Sequence, residues 1–103
     1  MSAGQIANLN EPVSTQATGI ILVWQRRTGP AMFEDNNWNY SHIPKWSVTG
    51  EAGSGSGGTN CVVMDGSDLI RKYVYVRDTQ IEGFASNGTG GNEDLTMRYI
   101  LSY

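Results

Sequence analysis

Hydrophobic and polar residues alternate along much of this chain with the period of two that is typical of β-strands. The pattern is clearest near the end, where every second position from Leu95 to Tyr103 is large and apolar. Residues 38–43 and 69–77 alternate in the same way. Residues 20–24 instead form a continuous apolar run, which is expected of a strand covered on both faces. No segment carries apolar residues at helical spacing over two turns, so the sequence predicts an all-β fold.

Strand-breaking residues divide these segments at regular intervals. Pro44 is expected to end the segment 38–43 or to confine it to a sheet edge. Asp65-Gly66 and Asp78-Thr79 are expected to be turns, and the Gly-rich stretches 50–58 and 86–92 surface loops. The pattern predicts one domain over residues 1–103, an antiparallel β-sandwich of about seven strands with jelly-roll-like character.

The strand faces also predict the core. Trp24 closes the apolar run and is expected inside, and Cys61 is expected to be a buried, unreactive thiol. Ile70, Lys72, Val74 and Val76 share one face, opposite Tyr73 and Tyr75. Leu95, Met97, Tyr99, Leu101 and Tyr103 share another. The expected core comprises Ile20, Leu22, Val74, Val76, Ile81, Leu95, Met97 and Tyr99.

Composition narrows the possible functions. Of the 103 residues 39% are hydrophobic and 13 are Gly, so the core is thin, and self-association would compensate for that. The net charge of −3 and the scattered basic residues argue against nucleic acid and anionic membrane as main partners. The apolar runs are too short for membrane insertion. One cysteine allows no internal disulfide, which fits synthesis in a reducing compartment.

No grouping of residues predicts catalysis or a cofactor. His42 and Cys61 are the only residues of their types, and neither lies in a recognisable nucleophile–base arrangement. The adjacent acids Glu34-Asp35 and Glu93-Asp94 lack the spacing of a calcium loop, so no metal site is predicted. Residues 50–58 lack the Lys-Ser or Lys-Thr that ends a phosphate-binding loop.

The densest combination of aromatic and hydrogen-bonding side chains lies within residues 33–46. Sugars require flat apolar faces for their C–H patches and polar groups for their hydroxyls. The predicted ligand-binding residues are Asp35, Asn37, Trp38, Tyr40, His42 and Trp46. Strand alternation would place Trp38, Tyr40 and His42 on one side. A subunit interface is the alternative use of the same rings, because interfaces are also enriched in Trp and Tyr.

Four segments, in order, resemble a known family: residues 19–26 (GIILVWQR), 40–45 (YSHIPK), 72–83 (KYVYVRDTQIEG) and 97–101 (MRYIL). They are similar to the C-terminal head domain of tail-fibre and receptor-binding proteins of long-tailed phages and prophages of Gram-positive bacteria. The resemblance spans residues from about 5 to 103, in the strand order expected of such a domain. It suggests that the chain is the C-terminal part of a longer fibre protein.

The resemblance implies a homotrimeric β-sandwich head, carried on the tail fibre or tail tip of a virion and made in the host cytoplasm. Its partner would be host cell-wall polysaccharide or teichoic acid. Two other functions stay open from the residues themselves. One is a structural, trimerising tip or baseplate component without receptor contact, and the other is a glycan-cleaving tip.

Overall fold

The computed structural model describes residues 5–29, 32–33, 38–50, 58–84, 87 and 95–103. These residues form eight strands and two short helical turns. The strands are β1 (Ile6–Asn8), β2 (Gly19–Gly29), β3 (Met32–Phe33), β4 (Asn39–Pro44), β5 (Gly58–Asp65), β6 (Asp68–Val76), β7 (Gln80–Gly83) and β8 (Leu95–Ser102). The turns are a 3₁₀ segment (Val13–Thr15) and a single α-helical turn, α1 (Trp46–Thr49), which the hydrophobic pattern did not predict.

The strands form two antiparallel sheets, which confirms the all-β prediction. One sheet has the order β1-β7-β6-β5, and in the other β2 pairs with β3, β4 and β8. Asp65-Gly66 and Asp78-Thr79 form the predicted turns, and β4 pairs with β2 alone among the described strands before ending at Pro44. Side chains of both sheets belong to one buried cluster: Ile20, Leu22, Trp24, Ile43 and Leu95 from the β2 sheet, with Cys61, Val63, Ile70, Val74, Val76 and Ile81 from the other.

Trp24 lies at the centre of this cluster, fully buried as the sequence predicted. Its indole N–H donates a hydrogen bond to Ser41 Oγ at 3.0 Å. Lys72, also fully buried, places its ammonium 5.7 Å from the centroid of the Trp24 ring and donates to the Asn87 carbonyl at 3.2 Å. A buried cation needs such compensation because it has lost its hydration. The two sheets are therefore joined by polar contacts as well as by apolar packing.

The start of β2 requires glycine because of its neighbour in β4. A Cβ atom on Gly19 would lie 2.1 Å from the Ile43 carbonyl oxygen, and the Gly19 φ angle is +155°. Both conditions disfavour any residue with a side chain. The close approach fixes how tightly β4 lies against β2.

A β-bulge in β8 makes one prediction wrong. Val23 pairs with Tyr99, whereas the next residue of β2, Trp24, pairs with Met97, so Arg98 is an extra residue in β8. An extra residue reverses the faces of all positions beyond it. Leu95 and Met97 consequently face the core, whereas Tyr99, Leu101 and Tyr103 face outward. Tyr99 is 49% exposed and does not belong to the core, Met97 is partly buried, and the other six predicted core residues are buried.

Two asparagine side chains pair with strand edges in place of a neighbouring strand. The Asn39 amide donates to the Met64 carbonyl at 2.9 Å and accepts from the Met64 N–H at 2.8 Å. Asn87 bonds in the same way to both main-chain groups of Tyr73, at 2.7 and 2.8 Å. Asn39 thereby attaches β4 to β5 and connects the two sheets on that side.

Leu22→Ala tests the core. Leu22 is fully buried, so the substitution is expected to lower the free energy of unfolding by about 2–5 kcal/mol through lost burial and a residual cavity. Urea denaturation followed by tryptophan fluorescence measures it. Leu69→Ala is the matched control, because Leu69 is 73% exposed and its loss is expected to cost about 0.5 kcal/mol or less. A similar small cost for Leu22→Ala would contradict the observed packing.

Asn39→Asp tests the side-chain link between the sheets. The carboxylate can still accept from the Met64 N–H but cannot donate to the Met64 carbonyl, so a cost of about 1–2 kcal/mol is expected. Asn39→Ala loses both bonds and is expected to cost more. Equal stability of all three proteins in urea denaturation would show that the Asn39 amide does not hold the sheets together.

Candidate binding site

Strand β4 presents Tyr40 and His42 on the outer surface of its sheet. The intervening positions point inward, since the Ser41 hydroxyl contacts Trp24 and Ile43 is buried. Tyr40 is 60% exposed, and His42 is exposed with its ring 5.0 Å from that of Tyr103 in an edge-to-face arrangement. The alternation of β4 thus places these two predicted site residues side by side, as expected.

Trp46 is a further exposed aromatic residue, two positions beyond the end of β4. It begins α1 and is 57% exposed. Its ring lies against the main chain of Gly50, where a Cβ atom would fall 2.2 Å from the indole. Trp38 directly precedes β4 and is also exposed. The other two predicted site residues, Asp35 and Asn37, lie outside the described residues.

A cleft of about 250 Å³ separates the edges of β4 and β5 beside Tyr40 and His42. The Lys45 N–H donates to the Thr18 carbonyl, so Lys45 faces β2. Because successive residues of an antiparallel strand direct their N–H and C=O groups to opposite sides, those of Tyr40 and His42 point away from β2 and toward β5. The cleft is lined on one wall by Tyr40, Ser41, His42, Ile43, Pro44 and Ser47, and on the other by Thr59, Asn60, Cys61 and Val62. We call it the β4–β5 cleft.

One wall of the β4–β5 cleft contains a buried hydroxyl without a partner. Among the described residues, Ser47 Oγ makes no hydrogen bond although Ser47 is only 9% exposed. A buried hydroxyl without a partner costs about 1–3 kcal/mol. Thr59 and Asn60 place further hydrogen-bonding groups on the opposite wall. The cleft therefore combines an aromatic rim with polar groups, which is the combination a sugar requires.

Cys61 lies at the bottom of the cleft as a buried thiol, as predicted. Burial raises the pKa of this thiol, and a hydrogen bond with Ser41 partly opposes that effect. The thiol is therefore protonated near neutral pH and weakly nucleophilic. The same Ser41 hydroxyl accepts from Trp24, so the polar groups behind the cleft form a short chain from the core to the thiol.

Several acidic side chains have structural partners. Glu82 pairs with Arg77 at 2.8 Å and Asp65 with Arg26 at 3.3 Å. Asp78 accepts from both the N–H and the hydroxyl of Ser14. No group of three or more metal-binding side chains occurs within the part of the chain that the structure describes. Among the same residues, no helix is long and apolar enough to cross a membrane.

A second apolar surface lies on the outer face of β8, where the sequence suggests that Tyr99 and Tyr103 contribute to a subunit contact. Tyr99, Leu101 and Tyr103 are each about half exposed there, at 49%, 46% and 47%. Arg98 at the bulge donates to Gln25 at 2.6 Å and lies 5.1 Å from the Tyr99 ring centroid. The apolar residues at every second position of 95–103 concealed the change of face, since only the pairing with β2 reveals the extra residue.

Comparison with protein families, curated proteins and solved structures found no match to this chain.

Ser47→Ala tests the unpartnered hydroxyl. Because the hydroxyl forms no hydrogen bond with the described residues, its removal is expected to leave stability unchanged or to raise it by about 1 kcal/mol. Thermal denaturation measures the effect, with Ser41→Ala as the control, since the Ser41 hydroxyl accepts from Trp24 and its loss is expected to destabilise. A destabilising Ser47→Ala would show that the hydroxyl has a partner in the folded protein.

Cys61 is expected to react slowly with a thiol reagent such as Ellman's reagent in the native protein and rapidly in guanidinium. Since burial raises its pKa, ionisation favours the unfolded chain. The wild type should lose stability relative to Cys61→Ala as the pH rises above about 8.5, the ordinary thiol pKa, and show no such change below it. Rapid native labelling at pH 7 would contradict this description.

Proposed function

We propose that this chain is a non-catalytic head domain of a phage tail fibre that adheres to saccharide on the bacterial host surface. The observation that supports this best is the β4–β5 cleft, where Tyr40 and His42 accompany the unpartnered hydroxyl of Ser47, and where the exposed Trp46 directly precedes Ser47 in the chain. The resemblance of the four sequence segments to receptor-binding heads suggests the host surface as the target.

The chemistry of the surface favours a sugar over a purely apolar ligand. Tyr40 and Trp46 supply flat faces for C–H stacking. His42, Asn60 and Ser47 supply donors and acceptors around them. The shallow, open form of the cleft fits one or two rings of a longer polysaccharide, such as cell-wall polysaccharide or teichoic acid.

We further propose binding rather than catalysis. The Cys61 thiol is buried and bonds with Ser41, whereas the His42 ring is exposed and contacts Tyr103. A nucleophile and its base need to lie within hydrogen-bond reach, and these two side chains instead contact other partners. A glycan-cleaving tip remains testable by release of reducing sugar.

A structural, trimerising role is the second candidate, favoured by the exposed rings on the β2 sheet. An aromatic side chain can bury about 150–250 Å², so Tyr40, Tyr99 and Tyr103 at about half exposure present about 300 Å². One partner of a standard protein–protein interface buries about 800 Å², so these three rings would supply less than half of such a contact. We propose that the outer face of β8 lies within a homotrimer contact.

The jelly-roll-like connection of the strands likewise remains a prediction.

Tyr40→Ala and Trp46→Ala test the saccharide site. Each is expected to weaken binding to purified Gram-positive wall polysaccharide or wall teichoic acid about fivefold or more, because each removes a stacking face worth about 1 kcal/mol or more. A glycan array identifies the ligand, and titration calorimetry measures the affinity. The control is Leu69→Ala, on the other sheet, which should bind normally.

Three outcomes distinguish the candidate functions. Normal binding by both aromatic variants would contradict the site. Dissociation of an assembly by Tyr40→Ala, without loss of adsorption, would make the β4 surface an interface. Release of reducing sugar by the wild-type protein would favour the glycan-cleaving alternative. Asp35→Ala and Asn37→Ala extend the test to the two predicted residues outside the described structure.

Leu101→Glu and Leu69→Glu test the trimer. Both leucines are exposed, but they lie on opposite sheets. Leu101→Glu is expected to convert a trimer into monomers because it places a charge in the apolar contact, and Leu69→Glu is expected to leave the mass unchanged. Light scattering at micromolar concentration measures both, and a monomeric wild type would overturn the proposal.

A further inference from the structure

The two sheets are separated on the side away from the β4–β5 cleft by a long groove between β1 and β8. Its two contiguous parts, of about 360 and 670 Å³, share Asn8 and Ile100. Together they run along residues 5–11 and residues 97–102. We call this feature the β1–β8 groove.

Main-chain groups that pair with no described strand line both sides of the β1–β8 groove. Tyr103 exchanges two hydrogen bonds with Gly19, so alternation directs the main chains of Ile100 and Ser102 away from β2. The Gly83 N–H donates to the Gln5 carbonyl and the Leu9 N–H to the Thr79 carbonyl. Within the described residues, the main chains of Ile6 and Asn8 therefore point away from β7.

The floor of the groove is apolar. Ala7 and Leu9 of the β1 side, with Met97 and Ile100 of β8, are partly buried and pack against the core. Ala7 and Leu9 alternate with outward positions on the β1 side, whereas Met97 and Ile100 lie on either side of the bulge at Arg98. A segment lying above them places its inward-facing, alternate side chains against these apolar groups. This arrangement resembles the empty position of a strand in a sheet.

The open edge of β8 differs from the edge of β5. Asn39 bonds to the main chain of Met64 and so protects the β5 edge. Residues 99–102 of β8 contain neither Pro nor a charged side chain, the usual means of preventing strand addition. No described strand pairs with this edge of β8, and a free edge above an apolar floor is suited to accept a strand.

Charged side chains at the two ends of the groove favour one charge pattern along a bound strand. Glu11 lines the end next to Ser102, and Arg98 lines the opposite end. A strand antiparallel to β8 begins near Ser102 and ends near Arg98. Its first residues would meet a carboxylate and its last residues a guanidinium.

We propose that the β1–β8 groove binds an extended polypeptide segment of another protein as an added strand, antiparallel to β8. The segment carries apolar side chains at alternate positions, a basic residue at its start and an acidic residue at its end. Main-chain hydrogen bonds to Ile100 and Ser102 supply affinity, and the apolar floor selects the alternate side chains. This interaction is independent of saccharide binding at the β4–β5 cleft.

The test uses the fluorescently labelled peptide Lys-Thr-Val-Thr-Val-Thr-Asp, blocked at its C-terminus, with fluorescence anisotropy as the readout. Saturable binding to the wild-type protein is expected, at least tenfold weaker for the same peptide with alternate N-methylated amides, which cannot donate. A peptide with Lys and Asp exchanged is expected to bind more weakly. Hydrogen exchange should show slower exchange at Ile100 and Ser102 when the peptide is bound.

Ile100→Pro blocks the edge in the protein itself. Its N–H points away from β2, so proline at this position removes no bond of the sheet, and a tenfold or greater loss of peptide affinity is expected. Val62→Pro is the matched control on β5, because its N–H also points away from the paired strand, as that of Met64 does, and this variant should bind normally. If either variant fails to fold, the N-methylated peptide still decides the question.

Three results would overturn the proposal. One is failure of the peptide to bind at millimolar concentration. Another is equal affinity of the N-methylated peptide, which would indicate apolar contact without strand pairing. The third is wild-type self-association that Ile100→Pro abolishes, which would assign the edge to a second copy of the chain.

Discussion

Strand β2 is the element on which the rest of the structure depends. It is hydrogen-bonded to β4 on one edge and to β8 on the other, and both of its faces are covered through most of its length. The fully buried Trp24 connects it to Ser41 in its own sheet and to Lys72 in the facing sheet. Because β4 and β8 take their register from β2, the orientation of every aromatic side chain on this sheet follows from that strand.

A small core explains why so many large apolar side chains lie on the surface. The domain is too thin to bury its large side chains in one layer, and the two sheets do not close into a barrel. The side chain of Asn39 joins the sheets between β4 and β5, whereas the β1–β8 groove separates them on the other side. The rings on the β2 sheet and the groove beside it are two consequences of the same incomplete closure.

The candidate site was predictable in its residue types but not in its full composition. The alternation of residues 38–43 was sufficient to place Tyr40 and His42 together on the outer face. Ser47 and Asn60 could not be assigned to the site in the same way. They lie on separate elements and line the same cleft only because β5 lies beside β4. No local sequence pattern indicates that proximity.

The sequence by itself determined the strands other than the two-residue β3, the hairpin turns, and the burial of Trp24 and Cys61, because these depend on local alternation, turn chemistry and apolar runs. The tertiary structure alone decided which face of β8 points outward. Every second position from Leu95 to Tyr103 is large and apolar, with Ile100 the one aliphatic residue between them, yet Arg98 has no counterpart in β2. A bulge is a mismatch between two strands, so it becomes visible only when both are paired, and it moved Tyr99 from the predicted core to the surface.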